Sequence, residues 1–360
     1  MRPKNVNAII EAIRPLDGDW TEKARERTAQ LVMPPRALGR LHDIAERCCA
    51  IQATLHPCLD RKAVVVMAGD HGVAAEGVSA FPQEVTGAMV RTFLTGGAGI
   101  NAIARHAGAQ VWVVDMGIIP HIDPQDIPGG HQLKVSKIGP GTSSFLHGPA
   151  MTREQAEAAL LAGFNHAADL FEEAGVQVLG TGDMGIANTT SSAAIGAVVT
   201  GASLDEMVGR GTGIDDQSLA RKKAVIAQGI ACNRPDPRDG VGLLAKLGGF
   251  EIGGIAGLIL AGACFRRPVV VDGFISTAGA LIAHSLCPLV SDYLFAGHQS
   301  EEPGHGIMLG HLGLTPILNL GMRLGEGTGG ALAMTIMQGA VRMFKEVMTF
   351  AEAGVAEKNR

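Results

Sequence analysis

Glu326 stands in the run Gly321-Met322-Arg323-Leu324-Gly325-Glu326-Gly327-Thr328-Gly329-Gly330. Glycine on either side leaves the carboxylate without neighbouring bulk, so a flat ligand can approach both the acid and the backbone. Such a group suits proton abstraction better than structural pairing. A strand-like segment, Pro316-Ile317-Leu318-Asn319-Leu320, leads into the run, and a helix-like one begins at Ala331.

Two further segments suit an anion. Thr181-Gly182-Asp183-Met184-Gly185-Ile186-Ala187-Asn188-Thr189 reads as a strand-to-helix loop. Asn188 or Thr189 is expected to cap the following helix, whose free N–H groups and dipole favour negative charge. Gly182 and Gly185 permit close backbone approach. Asp183 would repel a phosphate, so it is expected to face another part of the substrate. The second turn, Val208-Gly209-Arg210-Gly211-Thr212-Gly213, precedes a helical run bearing Arg221, Lys222 and Lys223. Glycine backbone with a nearby lysine makes a monophosphate site. A solvated helix face accounts for two of those three basic residues. Neither GxxxxGK[ST] nor GxGxxG behind a strand is present. In Phe81-Pro82-Gln83, Phe81 offers an apolar wall and Gln83 a hydrogen bond to a heterocycle edge, although Pro82 also serves simply to start a helix.

Other chemistries find less support. Asp70-His71 and His284, His298, His305 and His311 match no compact ligand spacing such as HExxH, so no metal is expected. A GxSxG elbow is absent, which leaves acyl-enzyme chemistry without a nucleophile.

Positioning these residues calls for alternating elements. Strand-like runs fall at 63–67, 110–115, 176–179, 268–271, 292–296 and 316–320. Helical patterns fall at 84–94, 152–174, 188–200, 217–232, 240–246, 253–264 and 277–285. Continuous apolar strands between helices predict an α/β fold with a parallel, doubly wound sheet covered on both faces. Each strand candidate is followed closely by glycine and a polar residue, as in Gly69-Asp70, Asp115-Met116-Gly117, Asp272-Gly273 and Gly297-His298. Ligands bind such sheets outside the carboxyl ends of the strands, so these loops should converge on one cleft. The chain ends read as helices, two within residues 1–33 and one continuous helix over the last thirty residues. Residues 1–33 plus 331–360 are expected to form a small helical domain beside a large domain at 34–330.

Composition narrows the classes. The chain has 360 residues, a net charge of −5 and 4% aromatic residues, which argues against nucleic-acid binding. The apolar run 252–264 is too short to span a bilayer and reads as a buried core helix. Six cysteines, none in a CxxC pair, point to reduced thiols and a cytoplasmic chain.

Together the segments resemble the nicotinate-nucleotide–dimethylbenzimidazole phosphoribosyltransferase family, from about residue 68 to 333. The resemblance is carried by Gly69-Asp70-His71-Gly72-Val73, by Gly182-Asp183-Met184-Gly185-Ile186 with Asn188-Thr189-Thr190, and by Gly211-Thr212-Gly213. It continues through Val271-Asp272-Gly273-Phe274, Gly297-His298-Gln299-Ser300 and Leu324-Gly325-Glu326-Gly327-Thr328-Gly329. It implies a Rossmann-like large domain, a small helical domain, a homodimer and no cofactor or metal. The implied reaction moves the 5-phosphoribosyl group of nicotinate mononucleotide to 5,6-dimethylbenzimidazole for the cobalamin nucleotide loop. Glu326 matches the family's general base. Asp183 is the second catalytic candidate; position 183 is commonly Glu in the family, and Asp here is one methylene shorter. By the same resemblance, phosphate rests on the 182–188 loop, the Gly211-Thr212-Gly213 turn and Lys222. Leu324 and Gly325 are further substrate-binding candidates, and Ser291 lies toward the nicotinate. Two rivals are a metal-assisted hydrolase using Asp70, His71 and Asp272, and a non-catalytic nucleotide sensor.

Overall fold

The structure, a computed structural model, describes residues 2–211 and 213–356. Its centre is a six-stranded sheet in which every pairing is parallel. The strands are β1 (Lys62–Gly69), β2 (Ala109–Gly117), β3 (Leu133–Val135), β4 (Val178–Met184), β5 (Val269–Val271) and β6 (Leu294–Ala296). Their spatial order is β3-β2-β1-β4-β5-β6. That order reverses between β1 and β4, which opens a crevice at their carboxyl ends. Two further strands, β7 (His298–Ser300) and β8 (Leu318–Met322), pair with each other in a separate parallel sheet.

The α/β class and the parallel, doubly wound sheet are as the sequence predicts. Several boundaries differ. The apolar pattern of 316–320 suggests a strand of the main sheet, but the strand begins at Leu318 and belongs to the two-stranded sheet. Gly182 and Asp183 are loop residues by their sequence, yet β4 runs through them to Met184. Pairing with β1 holds them there, with Gly182 opposite Val66 and Asp183 opposite Met67. The continuous C-terminal helix is broken. The helix Thr328–Glu346 stops at an extended Val347, Thr349 bridges to Leu31, and a short helix follows at Phe350–Ala353.

Helices cover both faces of the main sheet, which is why β1 is buried at all eight positions. The helix Phe250–Cys264 is buried along nearly its whole length and lies against β1, β2 and β4. It also packs on the helix Arg153–Glu172 at backbone contact. A Cβ added at Gly257 would meet the Leu160 carbonyl oxygen at 2.1 Å, and one at Gly163 would meet that of Gly254 at 2.0 Å. The opposite face carries the helix Thr328–Glu346, which touches β1, β4 and β5 and the helices Arg40–Gln52 and Gly99–Ala107. Among the described residues no helix is long and apolar enough to cross a membrane, and all six cysteines are free thiols.

Candidate active site

A cavity of about 370 Å³ opens at the carboxyl ends of the strands. Its walls come from the segments after β1, β4, β5 and β8 and from the β7 region. It gathers Phe81, Asp183, Gly185, Asn188, Thr189, Gly211, Leu324, Gly325 and Glu326, nine of the residues singled out from the sequence.

Glu326 is 6% exposed and lines this cavity. The three residues Gly325, Glu326 and Gly327 all hold positive φ, at +82°, +63° and +90°. A glutamate in that region costs about 1–3 kcal/mol of backbone strain. Its surroundings over-determine the turn. Asp272, at the end of β5, accepts the Gly327 N–H at 3.1 Å on one oxygen and the Gly330 N–H at 2.8 Å on the other. From below, Gly182 meets the turn so closely that an added Cβ would lie 2.6 Å from the Glu326 carbonyl oxygen. The Ile100 N–H, in the first turn of the helix Gly99–Ala107, donates to Glu326 Oε2 at 3.0 Å. Among the described residues the other carboxylate oxygen receives no hydrogen bond. Burial pushes the Glu326 carboxyl above its ordinary value, the Ile100 hydrogen bond pulls it back, and the charge on Asp272 raises it again.

Asp183 is buried on the same wall. Burial drives its carboxyl well upward, and Asp272 adds to the rise. The Asn188 amide donates to it at 3.0 Å, which opposes the shift. This hydrogen bond corrects an expectation: Asn188 does not cap its helix. Nor does Thr189, because the cap position of the helix Asn188–Thr200 is Ala187, at φ +74°, without a side-chain hydrogen bond. Thr189 instead accepts from Lys222 Nζ at 2.8 Å. Lys222 is fully buried and also donates to the Gly209 carbonyl at 3.4 Å. A Cβ on Gly211 would sit 3.4 Å from the same ammonium. Burial brings the Lys222 pKa down to about 8, and the nearby Glu302 works against that fall. A helix start free of side-chain caps and the Thr189 hydroxyl therefore line one end of the cavity, with the buried Lys222 ammonium directly behind them.

Other expected residues lie elsewhere. Gln83 lines a neighbouring cavity of about 440 Å³ and donates to the His71 carbonyl at 3.2 Å. Ser291 sits in the turn before β6, away from the strands' carboxyl ends, where its hydroxyl bonds His284 at 2.9 Å. Gly213 is exposed and outside the cavity wall, and Thr212 lies outside the described residues. The cavity also includes residues not singled out as site residues, namely His298, Ser300, Glu302, Arg323 and the apolar Val85 and Met89. Ser300 follows directly from a quoted motif, Gly297-His298-Gln299-Ser300, so the signal was present at that position.

The three residues of the hydrolase rival have separate tasks. His71 is pinned between Glu251 at 2.5 Å and Ser191 at 3.1 Å. Asp70 accepts the Ile119 N–H at 2.7 Å, and Asp272 holds the glutamate turn. Among the described residues, no group of three or more His, Cys, Asp or Glu is arranged to hold a metal.

Residues 13–355 match a family model described as phosphoribosyltransferase. The chain is 54% identical to the nicotinate-nucleotide–dimethylbenzimidazole phosphoribosyltransferase of Geobacter sulfurreducens, over 97% of each protein. It is 50% identical to that of Chloroflexus aggregans, again over 97% of each. A crystal structure of the same enzyme from Thermus thermophilus superposes with a TM-score of 0.89 at 46% identity, covering 95% of this chain and all of that one. Such identity along almost the full length, on a shared fold, leaves one assignment: the chain belongs to the nicotinate-nucleotide–dimethylbenzimidazole phosphoribosyltransferase family.

Proposed function

We propose that the chain transfers the 5-phosphoribosyl group of nicotinate mononucleotide to 5,6-dimethylbenzimidazole, giving α-ribazole 5′-phosphate and nicotinate. The observation that carries the proposal is a buried carboxylate at 326 on the wall of one cavity whose Thr189 and Gly211 are backed by the buried ammonium of Lys222. The phosphate rests against Lys222, Thr189 and the Gly211 turn. The flat base lies toward Phe81 and Leu324, which are half or more exposed at the cavity mouth, with its N–H toward Glu326.

In the reaction the C1′–N bond to the pyridinium breaks and its electron pair returns to the ring nitrogen, so nicotinate leaves without needing a proton. An azole nitrogen lone pair forms the new bond to C1′ from the opposite face, which turns a β-nucleotide into an α-product. The azole N–H proton passes to Glu326. Asp183 flanks the path as a second carboxyl, positioning substrate. Growing positive charge on the ribose is favoured by the surrounding carboxyl groups.

A homodimer in the cytoplasm is part of the same reading, as is the division into a large unit at 34–330 and a helical unit from the two ends. The bridge between Leu31 and Thr349 and the Arg27 hydrogen bond to the Phe344 carbonyl at 3.2 Å support the joining of the ends. The deciding experiment is product analysis with nicotinate mononucleotide and a panel of bases. Release of nicotinate with an α-ribotide of dimethylbenzimidazole is expected. Binding of the mononucleotide without nicotinate release for any base would instead indicate a sensor.

A further inference from the structure

Glu302 lines the cavity wall, and among the described residues no group donates a hydrogen bond to its carboxylate. The residue is 8% exposed, and its Oε2 is buried without a hydrogen-bond partner among the described residues. The side chain lies against Gly209, where an added Cβ would come within 2.1 Å of Oε2. It lines the main cavity and also a smaller one shared with Gly209, Gly211 and Arg323. Its backbone is fixed, since the Glu302 N–H donates to the Ser300 hydroxyl at 3.3 Å and its carbonyl accepts the His305 N–H at 3.0 Å. By contrast, both oxygens of Asp272 accept backbone N–H groups, and one oxygen of Asp183 accepts from Asn188.

A buried carboxylate without donors is costly, and a ligand that brings donors recovers the cost. Lys222 marks the phosphate end of the cavity and Glu326 the base end, so the sugar lies between them. Its 2′- and 3′-hydroxyls are neutral donors, suited to an acceptor-only carboxylate as in other nucleotide sites. We propose that Glu302 receives the ribose diol and selects ribonucleotides over deoxyribonucleotides. This rests on the phosphoribosyl-transfer reading above. Glu302 is a specificity-determining residue here, and the proton still goes to Glu326.

The test compares nicotinate mononucleotide with its 2′-deoxy and 3′-deoxy analogues, in turnover and by calorimetry, for the parent protein and for Glu302→Gln and Glu302→Ala. The parent should favour the ribonucleotide by about 10- to 100-fold in kcat/KM, the range of one hydrogen bond to a charged group. Both variants should lose most of that preference while their affinity for inorganic phosphate stays within about twofold. Circular dichroism and thermal melting establish that Glu302→Gln, which keeps the side chain's size, is folded. Variants that keep the full preference, or a parent with none, would overturn the inference. So would a loss of phosphate affinity equal to the loss of nucleotide affinity, because Glu302 would then act only through Lys222. A parent that releases no nicotinate from the ribonucleotide would instead refute the transferase reading. The calorimetric comparison still reports on the diol in that case.

Discussion

At Glu326 burial and a helix start pull in opposite directions. Burial raises the carboxyl's proton affinity, and the Ile100 N–H lowers it while fixing one oxygen in place. A base is most effective when its pKa approaches the working pH, so the net rise suits proton removal. Glu326→Gln keeps the hydrogen-bond acceptor but cannot take a proton. A loss of about 10²–10⁴ in kcat with an unchanged melting temperature is expected, measured by steady-state nicotinate release. Because the carboxyl is shifted upward, the acid limb of the kcat profile should lie above the ordinary glutamate range. Lys222 gives the opposite limb. With a pKa near 8 it is charged below that pH and neutral above it. The KM for the mononucleotide should therefore climb as pH passes about 8. Lys222→Arg should flatten that climb, since guanidinium stays charged. A KM that is constant from pH 7 to 9 in the parent would remove Lys222 from phosphate binding.

The glutamate turn shows what elements add to residues. Asp272 is at the end of β5, Gly182 is within β4, and Ile100 opens a helix from a different part of the chain. Replacing Asp272 by Ala would leave the Gly327 and Gly330 N–H groups without their acceptor. That should destabilise the fold by about 1–3 kcal/mol in denaturant titration and lower kcat, because the turn loses its anchor. Gly182→Ala should lower kcat and also destabilise the fold by about 1–3 kcal/mol, since its Cβ would press on the backbone of the Glu326 turn. The outcome that would count against this account is normal kcat in both variants. The same elements mark how far the sequence could be read. β5 was legible because Val269-Val270-Val271 is a compact β-branched run, and the helix at 188–200 was found with the right ends. β3 was not, because three residues with only Leu133 buried carry no period. The Gly99–Ala107 helix went unread too, so the Ile100 contact to Glu326 was unforeseen. Its N-cap is Ala98, and the local sequence offers no Ser, Thr or Asp cap to announce it. Of the site, glycine-flanked positions together with the family resemblance were enough to name nine residues that the fold brings to one cavity, Glu326 and Asp183 among them. Their partners required the tertiary fold, as did the separation of Gln83 from Phe81 into different cavities.

On the scale of the whole molecule, exposed apolar side chains stand on β8 and at the cavity mouth. In β8 the three central residues are exposed, Leu320 by 62%, and among the described residues the strand pairs only with β7. Leu324 continues that exposed surface to the mouth, and Phe81 stands there as well. Open strand edges with apolar side chains invite pairing or coverage. A second copy seated on this face would bury Leu320 and shield the mouth, excluding water from the base-binding end while nicotinate departs. Light scattering should then give twice the 37.3 kDa of one chain. Leu320→Glu, which places a charge on the face but touches no group assigned to the chemistry, should shift the mass toward a single chain. If the dimer also closes the mouth, the same variant should raise the KM for the benzimidazole more than the KM for the mononucleotide, because phosphate is held at the buried end. A parent protein of single-chain mass and full activity would refute the dimer. A dissociated variant with both KM values unchanged would confine the dimer to stability and leave the mouth open to solvent during turnover.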